Sequence, residues 1–216
     1  PSVGDFLRVS ASAGREASGI LSIHMSPKLS STHTVATTAS ELLDDVPVRV
    51  VDCQTAAIGQ GLVVLEAARA ASAGATLDEV QQHVEEVAPK ISLLFTLDSL
   101  EYLRRGGRIG GAAALAGTLL QIKPVLYLSE GRVEVFSKPR TKHRAIALIL
   151  RQMEKQVGGR PIRAAVLHAD ALREAEELRQ SVADRFDCAE LLISEFTPVM
   201  GAHTGPGLLG VAFYVV

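Results

Sequence analysis

Tryptophan is absent from the 216-residue chain, and aromatic residues make up only 4% of it. A core must therefore be built from Ala, Val, Leu and Ile, and the composition argues against aromatic platforms that stack single-stranded nucleic acid. An excess of charge of one sign is also missing. The 22 Lys+Arg stand against 24 Asp+Glu, a net charge of −2 with neutral histidines. That balance argues against a nucleic-acid clamp, which shows a basic excess, while leaving local basic patches open. The two cysteines, Cys53 and Cys188, are too few for a disulfide scaffold and form no Cys-x-x-Cys metal pair. Two free thiols in a reducing cytoplasm is the plain reading. No apolar run approaches the ~20 residues of a membrane span. The longest, Ala112–Leu120, is interrupted by Gly117 and Thr118. No signal-peptide pattern is read. The chain opens at Pro1 rather than Met, which points to processing or to an N-terminal part outside this sequence.

What is present is a globular composition, 47% apolar and 21% charged. Apolar strands are expected at Gly19–Met25, Val46–Asp52, Ile91–Leu97, Ile162–His168, Glu190–Phe196 and Leu208–Val216. Helices are expected at Ser30–Asp44, Ala57–Ala73, Asp98–Arg105, Thr141–Val157 and Ala171–Phe186. Thr76-Leu77-Asp78-Glu79 reads as a capping box opening a further helix that Pro89 ends. Lys123–Leu128 and Arg132–Phe136 read as a β-hairpin turning at Glu130-Gly131. Ala112–Leu120, apolar on every side, predicts a buried helix. This alternation predicts two α/β domains, residues 1–89 with a parallel sheet and 90–216 with a mixed sheet.

Three clusters carry chemistry. Ser26-Pro27-Lys28-Leu29-Ser30-Ser31-Thr32 places hydroxyls and free N–H groups where a helix begins, a seat for a carboxylate or phosphate. Plain N-capping by Ser30 or Ser31 is the competing reading. Gly106-Gly107-Arg108-Ile109 sets an arginine at the start of an apolar helix, for an anion or simply as a surface residue of a turn. It is not a Walker A loop, since no Lys-Ser/Thr follows. His203-Thr204-Gly205-Pro206-Gly207 sets a histidine beside a stiff turn, as a cleft donor or a solvated loop residue. The other five histidines form no metal spacing, and no Gly-x-Ser-x-Gly elbow is present. No catalytic or metal-ligating set emerges.

With these residues in view, the sequence resembles the DegV family of bacterial fatty-acid-binding proteins. Some members of that family serve as the lipid-carrying subunit of fatty acid kinase. Pro1-Ser2-Val3-Gly4-Asp5-Phe6 is similar to the end of the family's Thr-Ser-x-Pro-Ser motif and to the overlapping Pro-Ser-Pro-Gly-Asp-Phe. Leu21–Thr32 resembles its strand leading into Ser-Ser-x-Leu-Ser-Gly-Thr, and Asp52 with Gly59 and Gly61 its Asp-Ser…Gly-x-Gly segment. Leu100–Ile109, Ile122-Lys123-Pro124 and His203–Gly207 resemble further signatures. Pro27, Ser31 and Cys53 stand where the family usually has Ser, Gly and Ser.

The resemblance implies a long-chain fatty acid held between the two domains. The carboxylate would lie near Ser30, Thr32, Arg108, His203 and Thr204. The tail would run along Ala113, Ala116, Leu119, Leu120 and Ile122. It also implies a segment before Pro1 whose Thr helps hold the carboxylate. The expected role is a cytoplasmic, non-catalytic carrier with no cofactor. It would present the acid to an ATP-dependent kinase subunit and make at most transient membrane contact. The rivals are an acyl-ester hydrolase with His203 as base, and a lipid sensor or transporter without a kinase partner.

Overall fold

The structure is a computed structural model and describes residues 1–118 and 122–216. In chain order the first elements are α1 (Val3–Ala13), β1 (Ile20–His24), α2 (Thr32–Ser40), β2 (Val48–Asp52), α3 (Ile58–Ser72) and α4 (Leu77–Val87). A 3₁₀ turn at Ala88–Lys90 leads to β3 (Ser92–Thr96) and α5 (Glu101–Arg105), and a 3₁₀ stretch spans Gly110–Thr118. There follow β4 (Val125–Ser129), β5 (Arg132–Ser137), α6 (Lys142–Val157), β6 (Ile162–His168), α7 (Leu172–Ala183), β7 (Cys188–Glu195), α8 (Pro198–Thr204) and β8 (Leu209–Val215).

The strands form two sheets. β1 and β2 pair in parallel, while β5-β4-β3-β8-β6-β7 form a six-stranded sheet in which only β6 and β7 run parallel. The chain is thus α/β, with a small parallel sheet and a larger mixed one. Side chains alternate across a strand. Leu93 and Phe95 of β3 accordingly join one apolar cluster, and Leu94 the other. The first cluster also contains Ile23 and Val51 of the small sheet and Leu62 and Val84 of α3 and α4. The second packs Val166, Val211 and Phe213 under Ile149, Met153 and Leu178 of α6 and α7. Covered on both faces, β6 and β8 read as near-continuous apolar runs.

The hairpin turns as expected. Glu130 and Gly131 both have positive φ, 47° and 71°, the type I′ geometry that matches strand twist. The capping box at Thr76 and Glu79 is formed in both directions. Two helices went unanticipated. α1 is opened by a second box, in which Ser2 Oγ accepts the Asp5 N–H at 3.2 Å and the Asp5 carboxylate accepts the Ser2 N–H at 3.0 Å. α8 starts on Pro198 and stops at Gly205, the usual proline-first, glycine-last order. One expectation is corrected. The Ala112 segment is not a helix buried all round: Ala112 and Leu115 are buried, whereas Ala113 and Ala114 are exposed. A 3₁₀ helix has three residues per turn, so it stacks positions three apart and turns the alanines between them to solvent.

Between the sheets lies a charged knot. Glu66 on α3 is buried and meets Arg69, Arg163 on β6 at 2.7 Å and His83 on α4 at 3.3 Å. Arg69 in turn makes two 2.8 Å bonds to Glu190 on β7, and Arg163 donates to the Tyr214 hydroxyl on β8 at 3.2 Å. Burial pushes the Glu66 carboxyl pKa up, but hydrogen bonds from Tyr214 and Arg69 and the charge of Arg163 outweigh it. The net shift is downward from the ordinary 4.5. A depressed carboxyl pKa adds stability that is present above the ordinary value and is lost as pH falls through the folded-state value. Glu66→Gln should therefore cost about 2 kcal/mol, less than a fully buried pair because Arg69 is partly exposed. The variant should also flatten the decline of wild-type stability below pH 4.5. Urea melts across that pH range test this, and an unchanged midpoint for the variant would remove the knot from the stability account.

Candidate ligand-binding site

The loop from β1 to α2 folds on Ser26, which is buried. Its carbonyl accepts the N–H groups of Leu29 and Ser30 at 2.9 and 3.1 Å, and its Oγ accepts the Lys28 N–H at 3.2 Å. The hairpin tip rests on this loop. A Cβ on Gly131 would overlap the Ser26 side chain, and Lys28 Nζ donates to the Glu130 carbonyl at 2.8 Å. Ser31 takes the N-cap position of α2 without a side-chain cap bond. Ser30 instead accepts the Thr32 N–H at 3.3 Å and sits 2.9 Å from the Thr32 hydroxyl. The pair presents two hydroxyls at the positive end of a helix.

Arg108 is tied down by its own neighbourhood. Its Nε donates to the Leu29 carbonyl at 3.0 Å and its Nη1 to the Gly106 carbonyl at 2.6 Å. No carboxylate pairs with it among the described residues. Arg104 and Arg105, by contrast, are both spent on Glu101, and hydrogen bonds from these two hold its carboxyl down at about 2.

His203, expected in a loop, lies in the last turn of α8, its ring packed so closely on Gly106 that a Cβ there would run into Nδ1. That Nδ1 is buried and has no hydrogen-bond partner among the described residues. Thr204 is buried, and its hydroxyl donates back to the Met200 carbonyl at 3.1 Å. Gly205 ends the helix with φ 73° and ψ 172°, a conformation open essentially to glycine alone, against the Tyr102 ring.

Ser30, Thr32, Arg108, His203 and Thr204 all line one cavity of about 220 Å³. The rest of its lining is apolar. Met25, Leu29, Ala56 and Ala57 come from the small-sheet side, and Leu93, Phe95, Leu128, Val133 and Leu167 from the large sheet. α8 and its approach add Phe196, Val199 and Met200. Of the residues expected along the tail, Ala113 is exposed and Ile122 packs on the core, and neither belongs to the described lining. Leu119, Leu120 and the side chain of Ala116 lie outside the described residues. The described wall is the sheet face. Sequence alternation marks Leu93, Phe95 and Leu167 as core without revealing that their face borders a hollow.

A guanidinium, an imidazole and two hydroxyls thus converge at one place in an otherwise apolar chamber, an arrangement that accepts an anion on a hydrophobic body. A separate Ser–His contact, Ser22 Oγ to His24 Nε2 at 2.7 Å, lies outside the described lining, with the Phe6 ring edge-on to His24 at 5.3 Å. Burial pushes the Cys53 thiol pKa up to about 11. Among the described residues no His, Cys, Asp or Glu cluster is arranged to hold a metal.

The family model described as "Uncharacterised protein, DegV family" matches residues 1–216. The chain belongs to the DegV family. A DegV domain-containing protein of Streptomyces coelicolor is 46% identical over 196 residues, spanning 90% of this chain and 69% of that protein. The structure of a DegV family protein from Thermus thermophilus, described for its fatty acid binding, superposes with a TM-score of 0.93 at 40% identity. It covers 100% of this chain and 78% of its own. DegV from Bacillus subtilis, a fatty acid binding protein, gives 0.91 at 30% identity, covering 100% and 77%. The small parallel and large mixed sheets of this DegV chain match that architecture.

Gly106→Ala should shift the His203 ring while leaving the fold intact, because Gly106 has an ordinary negative φ and the imidazole is the main obstacle, the Tyr102 carbonyl oxygen standing farther off at 3.2 Å. Histidine ring resonances and a thermal melt of the variant test this. Unmoved His203 signals would mean that the two residues do not touch.

Proposed function

We propose that the protein binds a long-chain fatty acid and presents its carboxylate to a separate ATP-dependent kinase that forms the acyl phosphate. The observation that carries this reading is the single polar cluster in an apolar cavity, with Arg108 unpaired by any described carboxylate. In this reading the carboxylate lies at the Ser30–Thr32 helix start, within reach of Arg108 and His203, and Thr204 braces the helix that carries His203. Residues 1–89 form the carboxylate-binding domain and 90–216 the tail-binding domain. A C16 tail buried at ~0.8 kcal/mol per CH₂ contributes on the order of 10 kcal/mol before entropic costs. The tail therefore dominates affinity and the head sets orientation.

The carrier reading is favoured over the hydrolase because His203 has no described carboxylate to orient it as a base and the sequence has no nucleophile elbow or nucleotide loop. The family's fatty-acid-binding members support the ligand class. The kinase partner and the cytoplasmic location belong to the proposal alone. The described residues contain no helix long and apolar enough to cross a membrane.

Lipid extraction and mass spectrometry of the purified protein should yield a long-chain fatty acid. Ser30→Ala should weaken its binding by about 1.5–3 kcal/mol, the loss of one charge-assisted hydrogen bond. His203→Gln should leave a poorer but competent carrier. ATP-dependent acyl phosphate formation should need an added kinase subunit. Ester hydrolysis by the isolated protein that His203→Gln abolishes would overturn the carrier reading.

A further inference from the structure

The large sheet has a second face, turned away from the cavity and toward α6 and α7. Side chains alternate along β3 and β6, so Thr96 and His168 point to this face while their neighbours Phe95 and Leu167 line the cavity. Both pair in register with Leu209, one on each side of β8, at the end of the sheet where α6 and α7 begin. Thr96 is 0% and His168 2% exposed, and neither the Thr96 hydroxyl nor the His168 Nδ1 has a hydrogen-bond partner among the described residues. A buried polar atom left in that state is unfavourable and calls for a partner.

The helix start facing His168 is open. In α7 the first backbone bond runs from the Ala175 N–H to the Ala171 carbonyl, and no side chain caps the helix. Among the described residues this leaves the Leu172, Arg173 and Glu174 N–H groups free for a ligand. The buried stripe of α7 is Ala171, Ala175, Leu178 and Val182. Followed back to its first member, that stripe reaches the His168 end of β6, so the imidazole is aimed at the uncapped turn. α6 begins beside it. Lys142, its first residue, reaches Glu174 on α7 at 3.1 Å and Asp98 beyond β3 at 3.9 Å. Lys123 holds Asp98 at 2.8 Å, so two lysines are matched to two acids. The exposed Arg140 and Asp170, in the turns before α6 and α7, add one charge of each sign. With the side-chain charges balanced, the positive ends of two helix dipoles remain.

We infer that the crevice between the starts of α6 and α7 binds a phosphate-sized oxyanion, inorganic phosphate or a phosphate monoester, on the His168 imidazole and the free N–H groups of α7. A helix start supplies both donors and dipole for such an ion. His168, in the tautomer with its proton on Nδ1, supplies a donor from the sheet, and the Thr96 hydroxyl completes the polar floor. The carboxyl ends of strands are also where open α/β sheets seat their ligands. This site lies across the sheet from the cavity and does not rest on the fatty-acid reading.

Titration of the protein with inorganic phosphate, followed by amide NMR, tests it. The Leu172, Arg173 and Glu174 signals should move and saturate. His168→Leu should weaken phosphate about tenfold, the loss of one charge-assisted hydrogen bond. Its thermal midpoint in phosphate-free buffer should hold or rise, because an apolar side chain replaces a buried donor that has no partner. Glu174→Gln should strengthen phosphate about threefold by removing a like charge from the helix start. Phenyl phosphate distinguishes the sources. Binding tighter than phosphate, with the ring on the exposed Leu172, assigns an ester, and equal or weaker binding assigns the free ion. Shifts that never saturate, or equal affinity in wild type and His168→Leu, would overturn the site. Should His168→Leu fail to fold, Glu174→Gln decides alone, and phosphate binding that is unchanged or weaker in that variant overturns it.

Discussion

Apolar burial holds the two sheets together, but it is non-directional and cannot say how one sits upon the other. The ion network at Glu66 can. Its carboxylate is on α3, its partners are on α4 and β6, and through Arg69 and Arg163 it reaches β7 and β8. A buried carboxylate stays charged only while those partners surround it, so sliding α3 over the large sheet would strip it bare. The pose of the small sheet against the large one is fixed in this way. The cavity exists because of that pose, since its lining is drawn from both.

At the cavity's polar end the decisive feature is what the cations do not touch. Surface arginines in this chain find carboxylates readily, as Arg104 and Arg105 do with Glu101. Arg108, a few residues on, is held by two carbonyls instead. Carbonyl bonds aim a guanidinium without cancelling its charge. The imidazole of His203 is similarly placed by packing on Gly106 rather than by a polar partner. Both groups are positioned before any ligand arrives, which lowers the entropic cost of receiving one.

Much of this fold was legible because its signals are local. The strand Ile162–His168, the hairpin at Glu130-Gly131 and the box at Thr76 depend on periodicity or on a few adjacent residues. The box at Ser2 and Asp5 is equally local, and read alongside Thr76 it would have located α1. The polar cluster was legible as residue types, and Ser30, Thr32, Arg108, His203 and Thr204 do line one cavity. The hydrophobic wall was not. Uniform apolarity over Ala112–Leu120 looks the same whether a segment is buried all round or wound as a 3₁₀ stretch with Ala113 outside. Nor does alternation in β3 say which face looks into a hollow, because that depends on where α3 starts and α8 stops.

That division between polar end and apolar wall separates two properties. Wall residues such as Leu93, Phe95 and Leu167 sit on interior strands of the sheet, where positions move little and volume is tightly constrained. The polar-cluster residues sit on a loop, a turn and a short helix, held by Ser26, Gly106 and Gly205 rather than by strand ladders. In the proposed carrier, a change of wall side chain alters the length and shape of chain that fits without touching the polar cluster. A change at the cluster there alters how the head is aimed while most of the buried apolar surface is retained. In the proposed carrier, selection among acyl chains therefore belongs to the sheet face, and presentation of the carboxylate belongs to the loops that clasp its rim.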